Sequence, residues 1–375
     1  MPVCLDPNFS GENRTVRTNL LRSKPSQTLH HRSDKSVTIG LINNMPDGAL
    51  EATERQFISL LESASGDMQI KLSFHTLSNI PRNEQGALHI KNFYSNVDNL
   101  SGKKLDGLIV TGREPLTPNL QDELYWQDFV KILEWAKDNT YSTIWSCLAA
   151  HAALLHMDGI NRIKSKHKHC GVFECAKQSD HPLMKDSPAS FRLPHSRWNG
   201  ISEDALLDHG YKILTQSQHI GADTFVKENK SLFVFFQGHP EYESNTLLLE
   251  YRRDIGRYLR GETNTYPLMP QGYFDDSTVI ALAALQAEVK SQPREDFFAK
   301  SSAILGNSSL EDTWHSTAAC IYRNWLAYIY DQKQRRLDES DCFSPSHEID
   351  DLAPMLAATG TASTSHQRRK TRLAV

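Results

Sequence analysis

Ser142-Thr143-Ile144-Trp145-Ser146-Cys147, followed by Leu148-Ala149-Ala150-His151-Ala152-Ala153-Leu154, reads as an apolar strand turning straight into a helix, with a thiol on the turn. A second apolar strand, Leu232-Phe-Val-Phe-Phe-Gln-Gly238, runs into His239-Pro240-Glu241. Short apolar runs without polar alternation are those of strands buried on both faces, as in parallel sheets covered by helices. A cysteine at a helix N-terminus with an imidazole beside it is the reactive kind, because both favour the thiolate. His239 and Glu241 are one residue apart, so on an extended segment they project the same way, and Pro240 stiffens that segment. Cys147 is then the nucleophile, His239 takes its proton, and Glu241 holds the imidazole in the useful tautomer. His151, four residues beyond Cys147 on the same helix face, is the second choice of base.

Outward from this centre, residues 37–42, 69–74 and 105–110 are further strands. Between the first two lies a helix with Leu50, Phe57, Ile58 and Leu61 on one face, stopped by Gly66. Another helix is expected over residues 120–137, carrying Leu124, Phe129, Ile132, Leu133 and Trp135. Beyond residue 160 a Lys/His-rich segment leads to His195-Ser196-Arg197, which reads as a Pro-bounded loop that either binds a carboxylate or pins itself. A helix follows over 245–259, and 276–330 reads as helical, with Ile321, Trp325, Leu326 and Tyr328 as its apolar face. The expected fold is α/β: a mainly parallel, doubly wound sheet with flanking helices and a C-terminal helical section. Ligands on such sheets bind beyond the carboxyl ends of strands, where Thr111-Gly112, Cys147 and Gly238-His239 fall. Residues 1–35 read as a polar arm, 36–332 as the catalytic domain and 333–375 as a disordered tail.

A chain of 375 residues with a formal charge of −4 carries no broad basic field, which argues against nucleic acid or an anionic membrane as partner. No apolar run approaches the roughly 20 residues of a membrane span. The arm is expected to be an ordinary polar segment rather than a secretory signal or organelle presequence. The six cysteines are scattered, which fits a reducing cytosol better than a disulfide framework. His167, Cys170 and Cys175 match no strong zinc spacing, and Lys164, Lys166 and Lys168 oppose a cation, so no metal is expected. There is no phosphate-loop or dinucleotide glycine motif. A chain of this size suits a homodimer.

Many ordered motifs accompany the central pair. They include Asn44-Met-Pro46, Ala52-Thr-Glu54, Asn92-Phe-Tyr94, Asp106-Gly-Leu-Ile-Val-Thr-Gly112 and Tyr125-Trp126. Further along come Gly171-Val172, Pro194-His-Ser-Arg197, Gly238-His-Pro-Glu-Tyr242, Arg253-Asp254, Trp314-His315 and Asn324-Trp-Leu326. Through them the chain resembles the homoserine O-succinyltransferase/O-acetyltransferase family, from about residue 37 to 330. That family's fold is similar to class I glutamine amidotransferases.

The resemblance implies that succinyl-CoA or acetyl-CoA acylates Cys147, with His239 as base and Glu241 as its orienter, and that the acyl group passes to L-homoserine for methionine synthesis. It implies a cytoplasmic enzyme with small-molecule partners and no permanently bound cofactor. It also places Lys168, Ser196 and Arg253 at positions that bind the amino-acid substrate. Asp47 stands where the family commonly has lysine, and Arg113-Glu114 replaces its Ala-Pro. His151 stands for a usual Gln and Cys175 for a usual His. Leu116 occupies the position that separates succinyl from acetyl donors and matches neither pattern, while Arg113 leans towards a succinyl carboxylate. Three alternatives stand beside this reading. One is an acyltransferase for another amino acid or amine, one a glutamine amidotransferase-like hydrolase, and one a non-catalytic binding protein.

Overall fold

The computed structural model describes residues 3–5, 35–291, 296–310 and 312–342. The strands expected from apolar runs lie side by side and parallel. Their spatial order is β1 (Val3–Leu5), β3 (Gln69–Thr76), β2 (Ser36–Ile42), β5 (Gly107–Val110), β6 (Ser142–Ser146) and β13 (Leu232–Phe236). Antiparallel β12 (Thr224–Glu228) and β9 (Lys212–Ile213) extend the sheet, and β4 (Ser95–Asn96) pairs with β3. β1 falls within the segment read as a polar arm, where three residues are too few to announce a strand. Residues 6–34 of that arm lie outside the described residues.

Both faces of the sheet are buried, and β13 shows how: Leu232, Val234 and Phe236 enter one core while Phe233 and Phe235 enter the other. Each such side chain contributes about 2 kcal/mol by leaving water. The first core is closed by α1 (Asp47–Ala64), α6 (Thr246–Leu259), α7 (Asp276–Ser291), α8 (Phe297–Gly306) and α9 (His315–Cys342). The second is closed by α3 (Trp126–Asn139) and α4 (Leu148–Asp158). The mainly parallel, doubly wound α/β fold with a helical C-terminal section is therefore as expected.

Three local expectations change. The 120–137 helix is a 3-10 turn, Leu120–Asp122, followed by α3, and Leu124 between them is 73% exposed rather than on an apolar face. His195-Ser196-Arg197 is not a loop. It belongs to β8 (Ser190–Gly200), paired antiparallel with β7 (Ile163–Lys177) in a second sheet completed by β10 (Thr215–Ser217) and β11 (Gly221–Ala222). Pro194 is tolerated because β8 is an edge strand. Finally, α9 stays helical past residue 333, and Lys333 donates to Ser36 O at 3.0 Å and Asp106 Oδ2 at 2.8 Å. Residues 343–375 of the expected tail lie outside the described residues.

The strand order reverses between β2 and β5, which opens a crevice at their carboxyl ends. Asn44, just past β2, is tied to Thr111, just past β5, its N–H on Thr111 Oγ1 at 2.8 Å and its Nδ2 on Thr111 O at 2.9 Å. Two buried indoles on the C-terminal side reach β6 and the segment that follows β13. Trp325 Nε1 donates to Ser142 Oγ at 2.9 Å, and Trp314 Nε1 donates to Tyr242 O at 2.8 Å.

Candidate active site

Cys147 has φ 53° and ψ −114°, a backbone conformation that costs a non-glycine residue about 1–3 kcal/mol. The surroundings hold it there. Its N–H donates to Phe236 O at 2.8 Å, so the elbow is an extension of the β6–β13 ladder. A glycine from the loop beyond β5 leaves room for this turn. A methyl group on Gly112 would lie 2.6 Å from Leu148 N and 2.9 Å from Ala149 N. Leu148 and Ala149 open α4, so their N–H groups have no carbonyl behind them within the helix and are free to meet negative charge.

His239 stands close enough to Cys147 for the two to act on each other's charge. Its Nδ1 donates to Glu241 Oε1 at 2.8 Å, which leaves Nε2 to face the thiol. Residues 239–241 form a turn rather than an extended segment, yet the two side chains meet as the spacing suggested. Tyr242 stacks on the imidazole with centroids 4.2 Å apart, and His239 N–H donates to Pro194 O at 2.8 Å. Burial opposes a charged imidazole here, but Glu241 and Cys147 outweigh it and raise the His239 pKa well above the usual histidine range.

His151 does not stand in for it. Its Nε2 donates to Gln237 Oε1 at 3.0 Å, its Nδ1 has no partner, and burial lowers its pKa to about 4. Arg197 is likewise occupied, giving Nη1 to Asn199 O and Nη2 to Ile220 O, each at 2.7 Å, rather than waiting for a carboxylate.

Lys168, Ser196 and Arg253, from three different elements, are drawn together by two acids on α6. Asp254 Oδ2 sits 3.3 Å from Lys168 Nζ, and Asp254 Oδ1 lies 2.9 Å from Arg253 Nε and 2.8 Å from its Nη2. Glu250 accepts from Ser196 Oγ, and from Tyr242 OH at 2.6 Å. Burial works against the Lys168 charge, and Glu250 leads the groups that raise its pKa regardless. Sequence reasoning passed over Glu250 and Asp254. Their i, i+4 spacing beside Arg253 is the signal that marks one acidic helix face.

Arg113 follows Gly112, and its Nη1 is buried without a partner. Leu116 turns its side chain to solvent, 63% exposed, while its N–H and that of Thr117 donate to Glu123 Oε1 at 2.6 and 2.8 Å. Asp47, at the position where lysine was noted as common, accepts from Arg82 Nη1 at 3.2 Å and from Asn83 N–H at 2.7 Å. It pins α1 to the start of α2 (Glu84–Phe93). Cys170 and Cys175 are buried, which pushes the Cys170 thiol up to about 11. Among the described residues no group of three or more His, Cys, Asp or Glu is placed to hold a metal ion, and no helix is long and apolar enough to cross a membrane.

Such a site can form and discharge a thioester. Residues 2–336 match a family model described as homoserine O-succinyltransferase. A homoserine O-succinyltransferase of Rhodopseudomonas palustris is 42% identical over 290 residues, covering 77% of this chain and 87% of that protein. One from Bradyrhizobium japonicum is 42% identical over 302 residues, covering 80% and 92%. Among solved structures, a glutamine amidotransferase from Thermotoga maritima shares 12% identity at a TM-score of 0.39, covering 80% of this chain and 100% of that one. Another from Methylobacillus flagellatus shares 15% at 0.41, covering 79% and 96%. With the family match spanning residues 2–336 and relatives this similar along most of their length, the chain belongs to the homoserine O-succinyltransferase family of acyltransferases.

Proposed function

We propose that this enzyme moves a succinyl group from succinyl-CoA to the side-chain hydroxyl of L-homoserine, through a thioester on Cys147, on the route to methionine. The observation that carries this reading is the Cys147–His239–Glu241 line at the carboxyl ends of β6 and β13. First, Sγ bonds the acyl carbon as His239 takes the thiol proton. The bond to the CoA sulfur then breaks, and the proton leaves with that thiolate. Next, the homoserine hydroxyl gives its proton to His239 and its oxygen bonds the acyl carbon. Cys147 departs as thiolate and recovers the proton. The Leu148 and Ala149 N–H groups receive the oxyanion of both tetrahedral intermediates.

Arg253 and Lys168 take the amino acid's carboxylate, Arg253 by a two-pronged hydrogen bond. Glu250, held by Ser196 and Tyr242, takes the ammonium. Arg113 takes the far carboxylate of the succinyl group with its unpartnered nitrogen, and Leu116 acts through the loop that Glu123 pins. The CoA thioester is a co-substrate, and no resident cofactor enters either step.

Intact-protein mass after brief mixing with succinyl-CoA or acetyl-CoA tests this, with Cys147→Ala and Arg113→Ala alongside. The expected result is a succinyl adduct that needs Cys147, weakens in Arg113→Ala and is discharged by L-homoserine. A stronger acetyl adduct would move the donor. An adduct that homoserine leaves in place would move the acceptor to another amino acid or amine. No adduct with either donor, together with glutaminase activity, would replace the proposal by amidotransferase-like hydrolysis.

A further inference from the structure

Beneath the catalytic turn lies a second histidine–carboxylate pair that the chemistry above does not use. Asp223 and His195 are both fully buried, side by side against Gly238, the residue before His239. A methyl group on Gly238 would come within 2.7 Å of Asp223 Oδ1 and 2.8 Å of His195 Nε2, so the pair fills the space under the turn.

Every polar contact of the Asp223 carboxylate is with a donor. Oδ2 accepts from Thr215 Oγ1 at 3.0 Å and Thr224 Oγ1 at 2.7 Å. Thr215 Oγ1 itself accepts from Thr224 N–H at 3.0 Å, which commits its hydroxyl proton to Asp223. Oδ1 accepts from Gly238 N–H at 3.0 Å and lies 3.3 Å from His195 Nε2, close enough for attraction without a hydrogen bond. Arg197 Nε donates to His195 Nδ1 at 3.4 Å, which puts the ring proton on Nε2, facing the acid. The Asp223 main chain adds a further tie, its carbonyl accepting from Gln237 N–H at 3.0 Å. One buried acid thus fixes the two residues that lead into His239, while Pro194 O fixes His239 itself.

We propose that Asp223 is a positioning residue that sets the His239 ring against the Cys147 thiol by holding the Gly238 N–H, with His195 as the neutral wedge that keeps the carboxylate in register. The inference rests on the Cys147–His239 pair of the proposed function but needs no acyl donor to be tested. Alkylation of Cys147 by iodoacetamide as a function of pH reads the pair directly, so failure of the succinyl reading leaves it standing.

In Asp223→Ala, the alkylation rate at pH 7 should fall at least about 10-fold. Asp223→Asn keeps an acceptor for Gly238 N–H and should restore most of the rate. Thr224→Ala, which removes one donor without emptying the site, should lower the rate by less, and it serves if Asp223→Ala does not fold. A lowered melting temperature with an unchanged alkylation profile would overturn the proposal. So would an asparagine variant that folds and reacts no better than the alanine one.

Discussion

Gly112 at the end of β5 and Leu148 at the start of α4 touch backbone to backbone, with room for a hydrogen but none for a methyl group, which would lie 2.6 Å from the Leu148 nitrogen. The contact seats the helix N-terminus beside the thiol, so on the proposed mechanism these two residues fix where the oxyanion would be received. In Gly112→Ala the helix start must shift. Acyl transfer is expected to fall at least about 100-fold while stability drops by about 1–3 kcal/mol. Steady-state rates beside a thermal melt separate the effects, and a variant that is unstable but fully active would deny the helix start a catalytic role.

Glu241 is the largest influence keeping His239 protonatable against burial. Glu241→Gln preserves shape but removes the charge, and it allows the amide to turn the wrong group to Nδ1. Turnover should fall by roughly 10²–10⁴-fold. The rate at which iodoacetamide alkylates Cys147 at neutral pH should fall as well, because a less cationic imidazole holds the thiolate less well. An unchanged alkylation rate would mean that Glu241 only braces the turn.

Glu250→Gln should separate the two half-reactions. On the proposed route the amino acid enters only after Cys147 is acylated, so the adduct should form at its normal rate. The KM for homoserine should rise roughly 10- to 100-fold as a charge-assisted bond to the ammonium is lost. A variant slow in the first half-reaction would instead place Glu250 in the support of Tyr242 and His239.

Acid should loosen this protein through its buried neutral histidines. The His151 pKa is lowered by burial to about 4 from 6.5, so between those values the unfolded chain binds the extra proton and the folded one does not. Stability from this site is therefore complete above pH 6.5 and is lost as pH falls towards 4, by on the order of 3 kcal/mol. His75, lowered by burial to about 3, acts in the same direction. His151→Gln should flatten the fall in the urea midpoint between pH 7 and 5. An equally steep fall would assign the acid sensitivity elsewhere.

The parallel core was legible because β2, β5, β6 and β13 are buried on both faces, and such strands write themselves as unbroken apolar runs. The thiol and its histidine were legible because each stands where such a run stops. The second sheet was not, since the first half of β7, Ile163-Lys-Ser-Lys-His-Lys-His169, faces largely outward and carries charge instead of alternation. Its register also shifts between Lys164 and His169, which breaks any period. Pro194 then disguised β8 as a loop. Asp223 escaped for a different reason: its role comes from what folding sets around it, whereas Glu250 did leave a trace, the i, i+4 spacing with Asp254 beside Arg253.

The indoles of Trp314 and Trp325 tie the last part of the described chain to the turn after His239 and to the base of the strand that carries Cys147. On the ribosome, both catalytic segments are made long before those indoles. A nascent chain that has not yet reached those indoles therefore carries the cysteine and its histidine without these two ties. A chain released after residue 310 is expected to react with iodoacetamide at Cys147 more slowly than the full chain, and an equal rate would deny the two indoles any part in holding the thiol and its histidine.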